Sequence, residues 1–218
     1  MKYIDLSQAL EDGMKTSPGL PPARITAFLD RKESRSRYGG KAEFYLGKVD
    51  MPCNVGTYLD SPFHRYPDRP DLSQIPLERV AGLQGIVLDG EILPDRSVRV
   101  DCVEKDLRER AVLVKTGWDQ QWGTDSYWED GPYLTDEFVD RLIRSDAALV
   151  GVDFGNVDNT KDLSRPVHTR LLAANILIIE NLCGLNLLSR EGFKLYAVPP
   201  RIVRGASFPV RAFVEVRE

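Results

Sequence analysis

Apolar residues fall in short blocks separated by charged or turn-forming residues, and both periods typical of folded chains occur. Runs rich in β-branched and aliphatic residues at 85–89, 111–116, 147–152, 176–180, 194–198 and 209–216 predict strands. Phe138, Val139, Leu142 and Ile143 predict the apolar stripe of a helix. Thr135 stands where its cap belongs, with Asp136 and Glu137 early and Arg141 and Arg144 late, the order the helix macrodipole favours. Ser164-Arg165-Pro166 predicts a second helix start, with proline in the first turn, carrying His168 and running to 174. A short third helix is expected over 77–81. Residues 32–41 (KESRSRYGGK) are charged and poor in apolar side chains, so a mobile surface segment is expected there. Strands and helices intermix without strict alternation. An α/β fold with a mixed β-sheet is therefore expected, as a single domain over residues 1–218.

Composition narrows the function classes. The 218 residues are 42% hydrophobic and 28% charged, enough apolar content for one sizeable core. A net charge of −4 offers no basic footprint, so no nucleic-acid partner is expected. No apolar run approaches the roughly 18–20 residues needed to cross a bilayer. The opening Met1-Lys2-Tyr3-Ile4-Asp5-Leu6 lacks the apolar region of a signal peptide, so no membrane association and a cytoplasmic location are expected. Cys53, Cys102 and Cys183 are odd in number and far apart, which argues against a disulfide framework or a structural zinc knot. Each is expected to be a buried small hydrophobe, with Cys53 bordering the candidate site. The chain has only two histidines, His64 and His168, and both lie in its densest motifs.

Residues 52–68 contain Gly56 and the prolines Pro52, Pro62 and Pro67, which exclude a regular helix. A stiffened loop carrying Asp60 and His64 is expected, a good mount for catalytic groups, although an Asp-x-x-x-His pair alone is common. In the second segment, Glu180 ends the aliphatic run Ile176-Leu177-Ile178-Ile179. A buried carboxylate needs a cation, a set of hydrogen bonds or a proton. A metal ion supplies the first; solvent, or an arginine such as Arg201, Arg204 or Arg211, serves equally well. His168, in the first turn of its helix, is open to two readings as well, ligand or exposed helix-start residue. Asp153 follows an apolar run at a strand's carboxyl end, where turn formation with Gly155, Asn156 and Asp158 is the plainer role.

The segment Asn54-x-Gly56-Thr57-Tyr58-x-Asp60-x-Pro62-x-His64 resembles the H-x-G-T-H-x-D-x-P-x-H motif of the cyclase family, which includes bacterial kynurenine formamidases and isatin hydrolases. Similar stretches recur along nearly the whole chain: Ile4-Asp5-Leu6-Ser7, Glu11-Asp12-Gly13-Met14, Thr116-Gly117-Trp118-Asp119 with Trp122-Gly123-Thr124, Gly151-Val152-Asp153, residues 168–180 and Pro209-Val210-Arg211-Ala212. The resemblance implies a swivelling β/β/α-type fold, a homo-oligomer (dimer or tetramer), and hydrolysis of a small amide, formamide, lactam or lactone, arylformamidase-like. It also implies a metal site of Asp60, His168 and Glu180, with His64 as the acid/base. Asn54 and Tyr58 stand where the family has two further histidine ligands. An amide oxygen binds weakly, and a phenol must lose a proton of pKa about 10. One divalent ion, zinc or manganese, is therefore expected, with the family's second metal position empty. Tyr58 is expected to donate to a developing oxyanion, or else to fill the volume of the missing histidine. Asn54, Tyr66 and Trp118 are expected to contact substrate, with Trp122 and Trp128 as further aromatic candidates against a core-packing alternative. Two rival readings are a metal-free enzyme using Asp60, His64 and Tyr58, and a non-catalytic small-molecule-binding relative.

Overall fold

The computed structural model describes residues 1–14, 17–101 and 106–216. In chain order the strands are β1 (Lys2–Asp5), β2 (Arg24–Leu29), β3 (Leu46–Asp50), β4 (Tyr58–Asp60), β5 (Ala81–Ile92), β6 (Ser97–Val100), β7 (Ala111–Lys115), β8 (Tyr133–Leu134), β9 (Leu149–Val152), β10 (Leu177–Glu180), β11 (Phe193–Tyr196), β12 (Ser207–Pro209) and β13 (Phe213–Val216). The helices are α1 (Arg31–Arg37), α2 (Asp125–Glu129), α3 (Asp136–Arg144) and α4 (Pro166–Ala173). Short 3-10 turns lie at Pro62–His64, Leu77–Arg79, Trp118–Gln121 and Leu185–Leu187.

One curled mixed sheet runs in the order β1-β13-β11-β5-β7-β9-β10-β4-β12, with β6 and β8 attached beside β5. Its centre is parallel: β5 with β7, β7 with β9, and β9 with β10. Central parallel strands are covered on both faces, which explains the unbroken apolar runs of β7, β9 and β10. On one face, Val112, Val150 and Ile178 pack with Phe138, Val139 and Leu142 of α3 and Val167, Leu171 and Leu172 of α4. On the other, Leu113, Leu149 and Ile179 pack with Leu6, Leu59, Phe193, Leu195 and Val214. Gly85 in β5 permits the close approach of Phe193, since a Cβ there would lie 1.9 Å from its ring. The β2–β3 ribbon stands apart from this sheet. Among the described residues, no helix is long and apolar enough to cross a membrane.

Most predicted elements appear within a residue or two of their expected bounds; α3 is capped as expected by Thr135, whose side chain accepts from Phe138 N. Five local expectations are corrected. Residues 32–41 are not a mobile segment throughout, because α1 begins at Arg31 and is fixed by a capping box between Asp30 and Glu33. The run 209–216 is two strands: β12 pairs with β4 and β13 with β1 and β11, so the chain changes partners between them. The helix expected over 77–81 is one 3-10 turn, since Ala81 already opens β5. The expected loop 52–68 contains β4, so Asp60 sits in a strand. Cys53 is exposed and Cys183 half-buried, not core residues; Cys102 lies outside the described residues.

Candidate functional site

The site grows from the register of β4, held between β10 and β12. Tyr58 lies directly opposite Glu180, and Asp60 directly opposite Ser207. Cross-strand partners share a face, and strand residues two apart point the same way. Tyr58, Asp60, Glu180 and Ser207 therefore converge, while the intervening Leu59 enters the core behind the sheet. Two short hydrogen bonds follow from this register: Tyr58 OH donates to Glu180 Oε2, and Ser207 Oγ donates to Asp60 Oδ1. Asn54 Nδ2 adds a longer contact to Asp60 Oδ1 at 3.4 Å. Glu180 Oε1 accepts from Val157 N at 2.7 Å. All four residues are at most 3% exposed.

His168 enters from α4, whose buried face also includes Val167, Leu171 and Leu172. Its orientation is set by Asp158, a buried carboxylate just outside the helix. Asp158 accepts from the backbone N–H groups of Val167 (2.6 Å) and His168 (3.2 Å), satisfying first-turn donors, and contacts His168 Nδ1 at 2.6 Å. With Nδ1 engaged, Nε2 faces the other two acids, 3.6 Å from Asp60 Oδ2 and 3.4 Å from Glu180 Oε1. Those separations are longer than the roughly 2.7–2.9 Å of a charged N–H···O contact. Asp60 Oδ2 is buried with no hydrogen-bond partner among the described residues. Donor atoms of Asp60, His168 and Glu180 all lie within 4.8 Å of one another. Donors bound at about 2.0–2.2 Å to one tetrahedral ion lie roughly 3.4 Å apart, so the set fits a divalent cation in spacing and in chemistry. A carboxylate on the far nitrogen of a metal-binding histidine is also the usual supporting arrangement.

Electrostatics make the same point. Burial pushes the Glu180 carboxyl upward, opposed by His168 and by the hydrogen bonds from Tyr58 and Val157, while Asp60 adds to the rise. Burial alone would lower His168, but Glu180, Asp158 and Asp60 together outweigh it and raise its pKa. Burial is likewise the largest influence on Tyr58, and the Glu180 and Asp60 charges add to it, so the phenol stays protonated well above its ordinary range. Three carboxylates thus surround one imidazole. His168 must give up its proton before Nε2 can serve as a donor atom. Of the expected alternatives for Glu180, none of the arginines serves. Arg211 pairs with Asp5 at 2.8 Å, Arg201 Nε donates to Ser73 O, and Arg204 lies over the Phe63 ring.

His64 lies on the 3-10 turn after β4 and keeps solvent contact. Its ring centroid is 5.7 Å from that of His168, and its Nδ1 lies 3.3 Å from Ser207 Oγ. The Ser207 proton goes to Asp60, so Ser207 can only accept from His64; Nδ1 carries the hydrogen and Nε2 is left as the basic atom. Partial desolvation in the cleft lowers the His64 pKa below 6.5; Asp60 opposes this, and His168 and Arg65 reinforce it. A cavity of about 170 Å³ is lined by Asn54, Tyr58, His64, His168 and Glu180, with Arg65 and Arg165 at its wall.

Several expectations are corrected here. Tyr58 has one hydroxyl proton, and it is directed to Glu180, so it is not free for an oxyanion. Tyr66 does not line the cavity: it packs against the core and its OH donates to Thr169 O at 2.9 Å. Trp118 also packs on the core, with Nε1 bonded to Tyr127 O and Arg96 over its ring. Trp128, by contrast, walls a neighbouring cleft of about 340 Å³ that shares Asn156 and Arg165 with the cavity. Asp153 does not form the expected turn. It accepts from Thr116 N, Thr116 Oγ1 and Gly117 N, tying the ends of β7 and β9 together. The structure adds Asp158 and Ser207. It also adds Asn181, whose buried amide bonds Gly56 O and Tyr127 OH and so holds the segment leading into β4.

A family model described as "Putative cyclase" matches residues 4–159. The chain belongs to the Cyclase family. A kynurenine formamidase of Bacillus cytotoxicus is 24% identical over 213 residues, covering 98% of this chain and 97% of its own. Another, from Salinibacter ruber, is 27% identical over 214 residues, covering 97% and 96%. Isatin hydrolase A from Ralstonia solanacearum superposes with a TM-score of 0.83 at 23% identity, covering 99% of this chain and 92% of that one. A structure described as a "Potential Metal-Dependent Hydrolase With Cyclase Activity" gives a TM-score of 0.78 at 19% identity, covering 100% and 98%. These likenesses bear out the α/β fold with its mixed sheet.

Proposed function

We propose that this Cyclase-family chain is a metal-dependent hydrolase of a small amide, formamide, lactam or lactone, arylformamidase-like in chemistry. The observation that carries the reading is the convergence of Asp60, His168 and Glu180 around the buried Asp60 Oδ2, which accepts no hydrogen bond among the described residues. The kynurenine formamidase relatives and the isatin hydrolase fold support the reaction class. Asp60, His168 and Glu180 would hold one divalent ion, zinc or manganese, which when bound lowers the pKa of water and polarises a carbonyl. Asn54 and Tyr58 replace the ligands of a second ion with hydrogen bonds to Asp60 and Glu180, so one ion per site is the expected content.

The chain's own groups then divide the work. Glu180 and Asp60 are fixed by Tyr58 and Ser207, and Asp158 orients His168. His64 Nε2 takes a proton from the attacking water and returns it to the leaving nitrogen or oxygen. Water is thereby added across the C–N or C–O bond: the carbonyl carbon gains oxygen to become a carboxylate, and the leaving atom gains hydrogen. In a formamide the products are formate and an amine. A panel of formanilides, lactams and aryl lactones, assayed with wild type and His64→Ala, tests the reading. Turnover by wild type that collapses in the variant is expected. Equal turnover in both would remove His64 from its role, and no turnover on any substrate would favour a binding protein.

A further inference from the structure

The cavity that reaches His168 and Glu180 has a cationic wall. Arg65 and Arg165 both line it, and Arg165 also lines the adjoining outer cleft walled by Trp128. Their hydrogen bonds run to neutral oxygens. Arg65 Nη2 donates to Ser164 O at 3.2 Å and to Thr169 Oγ1 at 2.8 Å, and Arg165 Nη1 reaches Asn159 O at 3.5 Å. The nearby Asp162 accepts instead from Ser164 N and Ser164 Oγ. Among the described residues, Nε and Nη1 of Arg65 and Nε and Nη2 of Arg165 therefore keep free donors. Arg165 also holds a left-handed backbone (φ 50°, ψ 59°) immediately before Pro166, a conformation that side-chain-bearing residues adopt at a steric cost. Both guanidiniums are thus anchored to the segment that opens α4, beside the catalytic cavity.

We propose that Arg65 and Arg165 form an anion subsite, so that the substrate is an acid: a small amide, formamide, lactam or lactone bearing a carboxylate next to the bond that is cleaved. The proposal rests on the hydrolase reading above. A planar guanidinium matches a carboxylate in shape and charge, and two of them orient it. Glu180 also lines the cavity, and its carboxylate repels an anion. An acid is therefore held in one direction, anion on the arginines and neutral carbonyl toward His168. The competing explanation is that the arginines only offset the charges of Asp60, Asp158 and Glu180.

Calorimetric binding of anthranilate and of aniline, which differ by one carboxylate, separates the two. Wild type should prefer anthranilate, and Arg65→Gln and Arg165→Gln should each weaken it about tenfold, the typical effect of losing one charged hydrogen-bonding partner. The double variant should lose the preference for the acid. A second measurement needs no variant: anthranilate, unlike aniline, should shield Arg65 and Arg165 from phenylglyoxal, read by peptide mass. Equal binding of both probes by wild type, unchanged anthranilate affinity in the double variant, or unshielded arginines would overturn the proposal. If the subsite stands but the hydrolase reading is wrong, arginine-dependent anthranilate binding persists while 2-formamidobenzoate and formanilide both go uncleaved.

Discussion

Replacing Asp158 with Asn keeps the side chain's size while removing its charge and one acceptor. Asp158 is 1% exposed and takes three hydrogens: Val167 N on Oδ1, and His168 N and His168 Nδ1 on Oδ2. An asparagine oxygen can face only one side, so its NH2 must oppose either Val167 N–H or the two His168 donors. Losing one charged hydrogen bond costs about 1.5–3 kcal/mol, and losing an anion at a helix start costs about 0.3–1 kcal/mol more. A chain of this size loses roughly 2–4 °C per kcal/mol, so the melting temperature should fall by about 4–16 °C. The fold holds the Asp158 carboxyl below its ordinary value: burial opposes this, but His168 and the backbone donors prevail. Its contribution is thus present at neutral pH and lost as pH falls through the depressed folded value, and the deficit of the variant should shrink in acid. Supporting partners of metal ligands typically govern about 10–100-fold in affinity, and chelator competition should show a loss of that order. A lower melting temperature with metal affinity unchanged would leave Asp158 as a helix cap and refute its role in orienting His168. No change in either would refute both.

Other outcomes follow from the same geometry. His64→Ala should lower kcat/KM by about 10²–10⁴, the usual worth of a positioned acid/base. Because the His64 pKa lies below 6.5 and its neutral form is the base, wild-type kcat/KM should fall only below that pH, and His64→Ala should lack this acid limb. Tyr58→Phe removes the hydroxyl from a fully buried carboxylate and should destabilise the protein by about 1.5–3 kcal/mol, read by urea unfolding. A Tyr58→Phe variant as stable as wild type would contradict the Tyr58–Glu180 bond.

Local pattern carried much of the fold and little of the site's support. The buried run of β7 and the capped stripe of α3 announce themselves in the sequence because their neighbours in the chain set them. β4 does not: three residues between Gly56 and Pro62 become a strand only because β10 and β12 flank them. The split of 209–216 is hidden for the same reason, since a change of strand partner leaves the apolar run unbroken. Asp60, His168 and Glu180 were legible through their motif and through the cost of burying Glu180. Asp158 and Ser207 were not, because an acid ten positions before His168 and a serine 147 positions after Asp60 meet them only in three dimensions. The Asp30–Glu33 capping box was readable, yet the charged composition of the following residues masked it.

Metal content of untagged protein tests the central claim most directly. Elemental analysis after dialysis should give about one equivalent of zinc or manganese per chain, and His168→Ala and Glu180→Ala should each lose it. Wild type that retains no divalent ion after incubation with either metal, or that holds it unchanged in both variants, would contradict the account.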